Sequence, residues 1–381
     1  MLGALAANTH IARTTFHSFI AGSPGNASLS FYLKGAEDTE EYGEHGEHGE
    51  HGDSRNISSH VLRSRSAVLN VAIALIGVAL LVFTVRRVGG WPAVVGGVGS
   101  VGWWFIVVIL LGAARMACRA QAWIASVHDA RLRFRDAFGA VLAGDTAGNL
   151  TPLGVLASEP TKILMTRAHL STVVSIASVA IENAFYTASV LVVLFVGTWL
   201  FLQRADVPPG LERIAEGILI VAAAAGVLAF WAARTRPAVL SWLAPLVTRL
   251  TGRSHAPAEA VQEIEARIYA VLQWPIGRLL HVVSWEAAFH VLAVAEVWLV
   301  LRLLPGGREI ALGDAFLMES AGRFVTVAFK FVPYRLGVDE VGSGAVAGVL
   351  GLSVASGVSL ALVRRLRILV LNAVGLIRLL R

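Results

Sequence analysis

Cysteine is nearly missing from this chain, with Cys118 standing alone in an apolar run. One thiol excludes a disulfide framework and a cysteine-built metal centre, and it says nothing about redox compartment. Lysine is almost as rare: Lys34, Lys162 and Lys330 are the full set, so the formal net charge of +6 rests on arginine. The arginines gather at the ends of apolar runs, as positive-inside topology requires, and not on one soluble face as nucleic-acid binding requires. Charge of either sign is scarce, 15% of residues against 56% hydrophobic, with a mean hydropathy of +0.67. That balance excludes an ordinary soluble domain and indicates an integral membrane protein. Catalytic signatures are missing too. The chain has no HExxH, no CxxC pair, no GxSxG elbow and no GxxxxGKS/T phosphate loop. Its longest loop between apolar runs, 234–277, is too short to be a soluble catalytic domain. No catalytic residue, metal ligand or cofactor is assigned from the sequence.

What is there falls into two parts. Residues 1–60 read as a low-complexity tail, polar around EHGEHGEHGD and without the charged region, apolar core and cleavage site of a secretory leader. His45, His48 and His51 are candidate metal ligands there, but a period of three in a flexible tract fixes no coordination geometry. Residues 61–381 read as the transmembrane domain, with the folded chain expected to begin near His60. A spanning helix needs about 20 mainly apolar residues, and the expected spans are 67–85, 103–127, 172–202, 214–233, 279–304 and 341–363. The glycine-rich run 89–102 reads as a loop or interfacial turn, and 368–380 as a short final run after Arg364, Arg365 and Arg367. Trp103, Trp104 and Trp123 suit an aromatic belt, and Arg131, Arg133 and Arg135 mark the cytoplasmic side. The spacing of Trp242, Leu243, Leu246, Val247 and Leu250 predicts an amphipathic helix at the cytoplasmic surface.

Two stretches break the apolar pattern. The first, 138–167, carries Asp145, Asn149, Glu159 and Lys162 among Gly144, Gly148, Gly154, Pro152 and Pro160. Charge facing lipid costs at least about 2.5 kcal/mol, so this stretch must face protein or water. Glycine packing alone would explain the glycines but not the four polar residues. Pro160 is expected to stop helix propagation, and a half-helix starting near 158–161 would aim its positive end, with Lys162, at an anion. The second stretch, 311–339, carries Asp314, Glu319, Arg323, Lys330, Pro333, Arg335, Gly337 and Asp339, followed by Glu340. Arg323 and Lys330, two helical turns apart, are expected to share a phosphate-binding face, and Arg335 to pair with Asp339 or Glu340 as a gate. Counted along the chain, the two stretches enter from opposite sides. The fold expected is therefore an all-α polytopic transmembrane bundle with two re-entrant or broken helices arranged as an inverted repeat. Within the spans stand Glu182 and Asn183, and then Glu286, His290 and Glu296; Glu286 and His290 are four apart on one helix face, where the choice lies between a proton relay and a plain hydrogen bond between helices.

At these stretches the sequence resembles the transmembrane region of lysylphosphatidylglycerol synthases, a family also described as flippase-like. The early motif is carried by Asn149, Pro152, Gly154, Glu159, Lys162 and Arg167, and the late one by Pro333, Gly337, Val338, Glu340 and Arg364. The resemblance covers about 65–380. It departs from the family pattern in the longer spacing from Gly154 to Glu159 and in Tyr334, Arg335 and Leu336, where glycines are common. The resemblance implies movement of a phospholipid or lipid-linked head group between leaflets of a bacterial cytoplasmic membrane. Some members carry a separate aminoacyl-transferase domain that is not found in this sequence, so lysine transfer is not carried over. The partner expected is an anionic or phosphate-bearing membrane lipid. Two alternatives stand beside translocation: a membrane-embedded transferase using Asp145 or Glu159 as base, and a non-transporting partner of a lipid-modifying enzyme.

Overall fold

Long apolar runs in hydrocarbon have one economical solution, the α-helix, which satisfies every backbone group within the segment. The computed structural model describes residues 86, 90–127, 131–150, 154–203, 207, 209–251, 258–305, 309–329, 332 and 335–379. The tail 1–60 and the expected span 67–85 lie outside the described residues, as do Pro152, Lys330 and Pro333. The chain runs through α1 (Gly90–Val101), a 3-10 turn (Gly102–Trp104), α2 (Phe105–Ser126), α3 (Phe134–Leu150), α4 (Val155–Thr166) and α5 (Thr172–Leu202). It continues through α6 (Pro209–Thr235), α7 (Val239–Thr251), α8 (Ala258–Ala270), α9 (Ile276–Leu303), α10 (Leu312–Ala328), α11 (Val338–Val349) and α12 (Val354–Leu379). The described residues form no strand. The protein is an all-α helical bundle, and it is an integral membrane protein.

Among the described residues, three helical stretches, Val98–Ser126, Thr172–Leu202 and Pro209–Thr235, are long and apolar enough to cross a bilayer. Their exposed surfaces suit lipid: Ile220, Val221, Val227, Leu228 and Phe230 stand out along α6. α9 and α12 have 28 and 26 residues, about 42 and 39 Å long at 1.5 Å per residue, but they carry charges that the bundle buries. α4 and α11 have 12 residues each, about 18 Å, too short for a hydrocarbon core of about 30 Å.

The element order repeats. α2–α3–α4–α5 and α9–α10–α11–α12 are each a long helix, two short helices folded into a hairpin, and another long helix. The short helices match at 17 and 12 residues in both halves. Packing follows the same exchange: α2 lies against α9, α5 against α10, and α12 against α3. Small details recur as well. Ser171 caps α5 by accepting from the Val174 amide, and Ser353 caps α12 by accepting from the Ser356 amide. Gly197 of α5 lies so close to Ser320 of α10 that an added Cβ would meet Oγ at 2.1 Å, and Gly375 of α12 meets Thr146 Oγ1 of α3 at the same distance.

α2 and α9 run antiparallel through the middle. Arg278 near the start of α9 donates to the Ala125 and Val127 carbonyls at the end of α2. Further along, Arg115 sits 4.7 Å from the Phe289 ring centre, and Val108 joins the cluster of Val297 and Val300. Two equivalent helices that meet antiparallel are related by an axis across them, so the halves are inverted with respect to each other.

Several expectations need correction. The run 89–102 is helical from Gly90 on, because a membrane helix tolerates glycines that an exposed helix in water does not. Trp123 is no belt residue: it is 1% exposed and donates to Ser178 Oγ at 3.0 Å. The stretch 341–363 is not one span. α11 ends at Val349, the chain turns through Gly351 at φ +71°, and Arg364, Arg365 and Arg367 lie inside α12 instead of at a surface. In the loop 234–277 the expected helix over Trp242 to Leu250 forms as α7, and an unexpected second helix, α8, is clasped to it where Glu265 accepts from the Leu240 amide and from Ser241.

Candidate functional site

The first broken stretch is a hairpin of α3 and α4. Its glycines serve close approach and not left-handed backbone: Gly154 has φ −41°, but a Cβ there would lie 2.5 Å from the Gly148 carbonyl oxygen. Gly144 makes room in the same way for Lys162 and the Ser158 carbonyl. Lys162 is thereby drawn inside, 2% exposed, 3.0 Å from Glu159 and 3.8 Å from Glu182 of α5. Glu182 also accepts from Arg119 of α2 at 2.6 Å, and Arg119 stacks 4.3 Å over the Tyr186 ring. At the far end of α3, Asn149 donates to Asp145 at 3.0 Å and reaches Asn372 of α12 at 3.5 Å. α4 begins at Val155, so Pro160 lies within the helix and does not stop it. Lys162 is two turns past that start and belongs to the carboxylates, not to the helix dipole. Arg167 caps the other end and is exposed, away from the buried charges.

The second hairpin, α10 and α11, leads into a denser cluster. Glu319 of α10 accepts from Arg323 and from Arg364 of α12, both at 2.7 Å. Glu296 of α9 takes Arg115 of α2 at 3.0 Å and is also paired with Arg367 of α12. Arg364 reaches Glu296 at 3.9 Å and Arg115 reaches Glu319 at 4.0 Å, joining the two carboxylates into one network. Four arginines thus converge on two glutamates that are 0% exposed. Asp145 is within electrostatic reach of Arg367, and Arg323 donates to the Tyr186 hydroxyl at 3.2 Å. That last bond connects the two clusters into one seam across the bundle. Arg335 pairs with Asp339 at 3.3 Å, while Glu340 pairs with Arg365 at 2.6 Å. Gly337, at φ +79°, starts α11 in a conformation that suits glycine. α10 ends at Ala328, and Lys330, the expected phosphate-binding companion of Arg323, lies outside the described residues.

The repeat relates these pairs with their signs exchanged. Arg119 and Glu296 each stand seven residues before the end of their helix, and Glu182 and Arg364 are each the eleventh residue of theirs. The Arg119–Glu182 bridge of one half is therefore matched by Glu296–Arg364 in the other. A dyad that exchanges cation for anion keeps each half complementary to the other along the seam.

Glu286 and His290 lie buried on α9, and both meet Ser189 of α5: His290 Nε2 is 3.0 Å from its hydroxyl and Glu286 Oε2 is 3.5 Å from it. Among the described residues no group of three His, Cys, Asp or Glu side chains is placed to hold a metal ion.

Reading the sequence missed Arg115, Arg119, Tyr186, Ser189 and Asn372. The two arginines had a signal. They stand four apart in the middle of an apolar run, on one helix face, where an unpaired charge is costly. Burying such charges is tolerated only with partners, and removing one partner of a buried pair typically costs about 3–5 kcal/mol.

Neither a curated protein nor a solved structure matches the chain. A family model does, described as the lysylphosphatidylglycerol synthase TM region, and it matches residues 68–375. That span includes both hairpins and the whole seam, so the chain belongs to the lysylphosphatidylglycerol synthase transmembrane-region family, whose members are integral membrane proteins of lipid handling.

Proposed function

We propose that this protein binds the head group of a phospholipid or other lipid-linked phosphate within the seam and moves it between the leaflets of the bacterial cytoplasmic membrane. The observation that carries this is the excess of arginine at depth: Arg115, Arg323, Arg364 and Arg367 share Glu296 and Glu319. A purely structural network would be expected to balance its charges. Two of these side chains also hold buried Nε donors without a partner, on Arg115 and Arg367. Phosphate is the anion whose geometry suits several guanidinium forks at once. The acyl tails stay in hydrocarbon while the head group exchanges places with the carboxylates.

The deciding experiment is translocation of a fluorescent-labelled phosphatidylglycerol in proteoliposomes, read by an impermeant quencher. Protein-containing vesicles are expected to exchange label between leaflets faster than empty vesicles. Equal rates would end the proposal.

A further inference from the structure

We propose that Glu286, Ser189 and His290 form a proton-binding site that couples lipid movement to a proton gradient, an inference that rests on the translocation reading above. It begins with the Ser189 hydroxyl, which donates to the Tyr186 carbonyl at 2.8 Å and lies 3.5 Å from Glu286 Oε2, toward which it can also turn its hydrogen. His290 Nε2 stands 3.0 Å from the same oxygen and donates or accepts according to its tautomer. Glu286 and His290 therefore share one hydroxyl through which a proton can pass between them.

The surroundings point the same way. Glu286 is 2% exposed, and its other oxygen, Oε1, has no hydrogen-bond partner. A carboxylate there would be a bare anion in a dry interior, which is costly. The charges that face it are already taken. Arg119 of α2 is held by Glu182 of α5, which also faces Glu286. Arg323 of α10 is held by Glu319 and Tyr186. Cys118 of α2 faces Glu286 too. His290 faces Arg323, Glu319 and Arg115, and its Nδ1 is a buried acceptor without a partner. The site thus holds one proton on Glu286 and offers a second nitrogen to which a proton can pass.

It also stands beside the seam. Tyr186, one turn before Ser189 on α5, receives the bond from Arg323 and carries Arg119 on its ring. A phosphate drawn to either arginine adds negative charge next to the Glu286 proton. Anion and proton then favour each other's binding by linkage, so the two travel in the same direction.

Two measurements test this. Infrared spectra of the purified protein at neutral pH are expected to show a protonated-carboxyl band that Glu286→Gln removes and the distant Glu265→Gln leaves. Glutamine keeps the shape of the side chain and an oxygen for Ser189, so the variant is expected to melt with the wild type. A band unchanged in Glu286→Gln would overturn the proton site whatever the transport data show. In proteoliposomes, a one-unit pH difference is expected to concentrate labelled phosphatidylglycerol in the leaflet on the alkaline side, up to about tenfold for one proton per lipid. Glu286→Gln and Ser189→Ala are expected to lose that asymmetry. A wild type that exchanges lipid at symmetric pH and ignores the gradient would refute the coupling alone. One that exchanges no lipid at all would end the translocation reading and the coupling together.

Discussion

Glu296 receives Arg115 and Arg367 from two different helices and is itself 0% exposed. Replacing it by glutamine keeps its shape and removes its charge, leaving both guanidinium groups facing each other. Glu296→Gln is therefore expected to lower stability by about 3–5 kcal/mol, read as a lower unfolding midpoint in detergent. The Arg119–Glu182 bridge allows a cleaner separation of pairing from burial. In a double-mutant cycle of Arg119→Gln and Glu182→Gln, the coupling energy is expected to be about 0.5–3 kcal/mol, and additive losses would mean the bridge is incidental. The sequence disclosed half of these residues. Glu182, Glu286 and Glu296 stood out as acids inside apolar runs, but Arg364, Arg365 and Arg367 looked like the end of a span because arginines commonly stand there. What hid their role was the turn at 350–353, which resets the helix so that they fall in its middle.

At the scale of elements, glycine decides how closely the short hairpins meet the long helices. Gly197 faces Ser320 and Gly375 faces Thr146 at the two contacts between long helices and hairpins, each with room for no more than a hydrogen. Alanine at either site is expected to cost about 1–3 kcal/mol, measured by thermal unfolding in detergent. Gly217, with nothing within 4 Å of an added Cβ, is expected to tolerate alanine without loss. Equal effects at all three sites would show that the close contacts are not what holds the hairpins. The long apolar helices were legible from length and hydropathy, and the two interruptions from their glycine, proline and charge. Their internal form was not. Pro160 reads as a stop, yet α4 runs through it, with the Thr161 hydroxyl bonded to the Ala157 carbonyl at 2.7 Å.

At the scale of the molecule, the inverted repeat makes a prediction about sides. In a Cys118→Ala background, single cysteines at Ala168, in the turn before α5, and at Val354, at the start of α12, are expected to react with an impermeant maleimide from opposite faces of the membrane. Labelling of both from one face would remove the inversion. The repeat was legible as an alternation of broken and unbroken runs, not as residue identity, because the dyad pairs Arg119 with Glu296 and Glu182 with Arg364. Positions that match by exchanging charge look unrelated in a comparison of residue types. Through that exchange each half supplies the charge that the other lacks along the seam, and under the proposed translocation a phosphate would pass from one set of arginines to the next. The most direct measurement is the rate of labelled-phosphatidylglycerol translocation in proteoliposomes carrying Arg119→Gln or Arg364→Gln, one arginine from each half. With folding verified, each variant is expected to lose about tenfold in rate, equivalent to ~1.4 kcal/mol in the barrier. Wild-type rates in both would contradict passage of the head group through the seam.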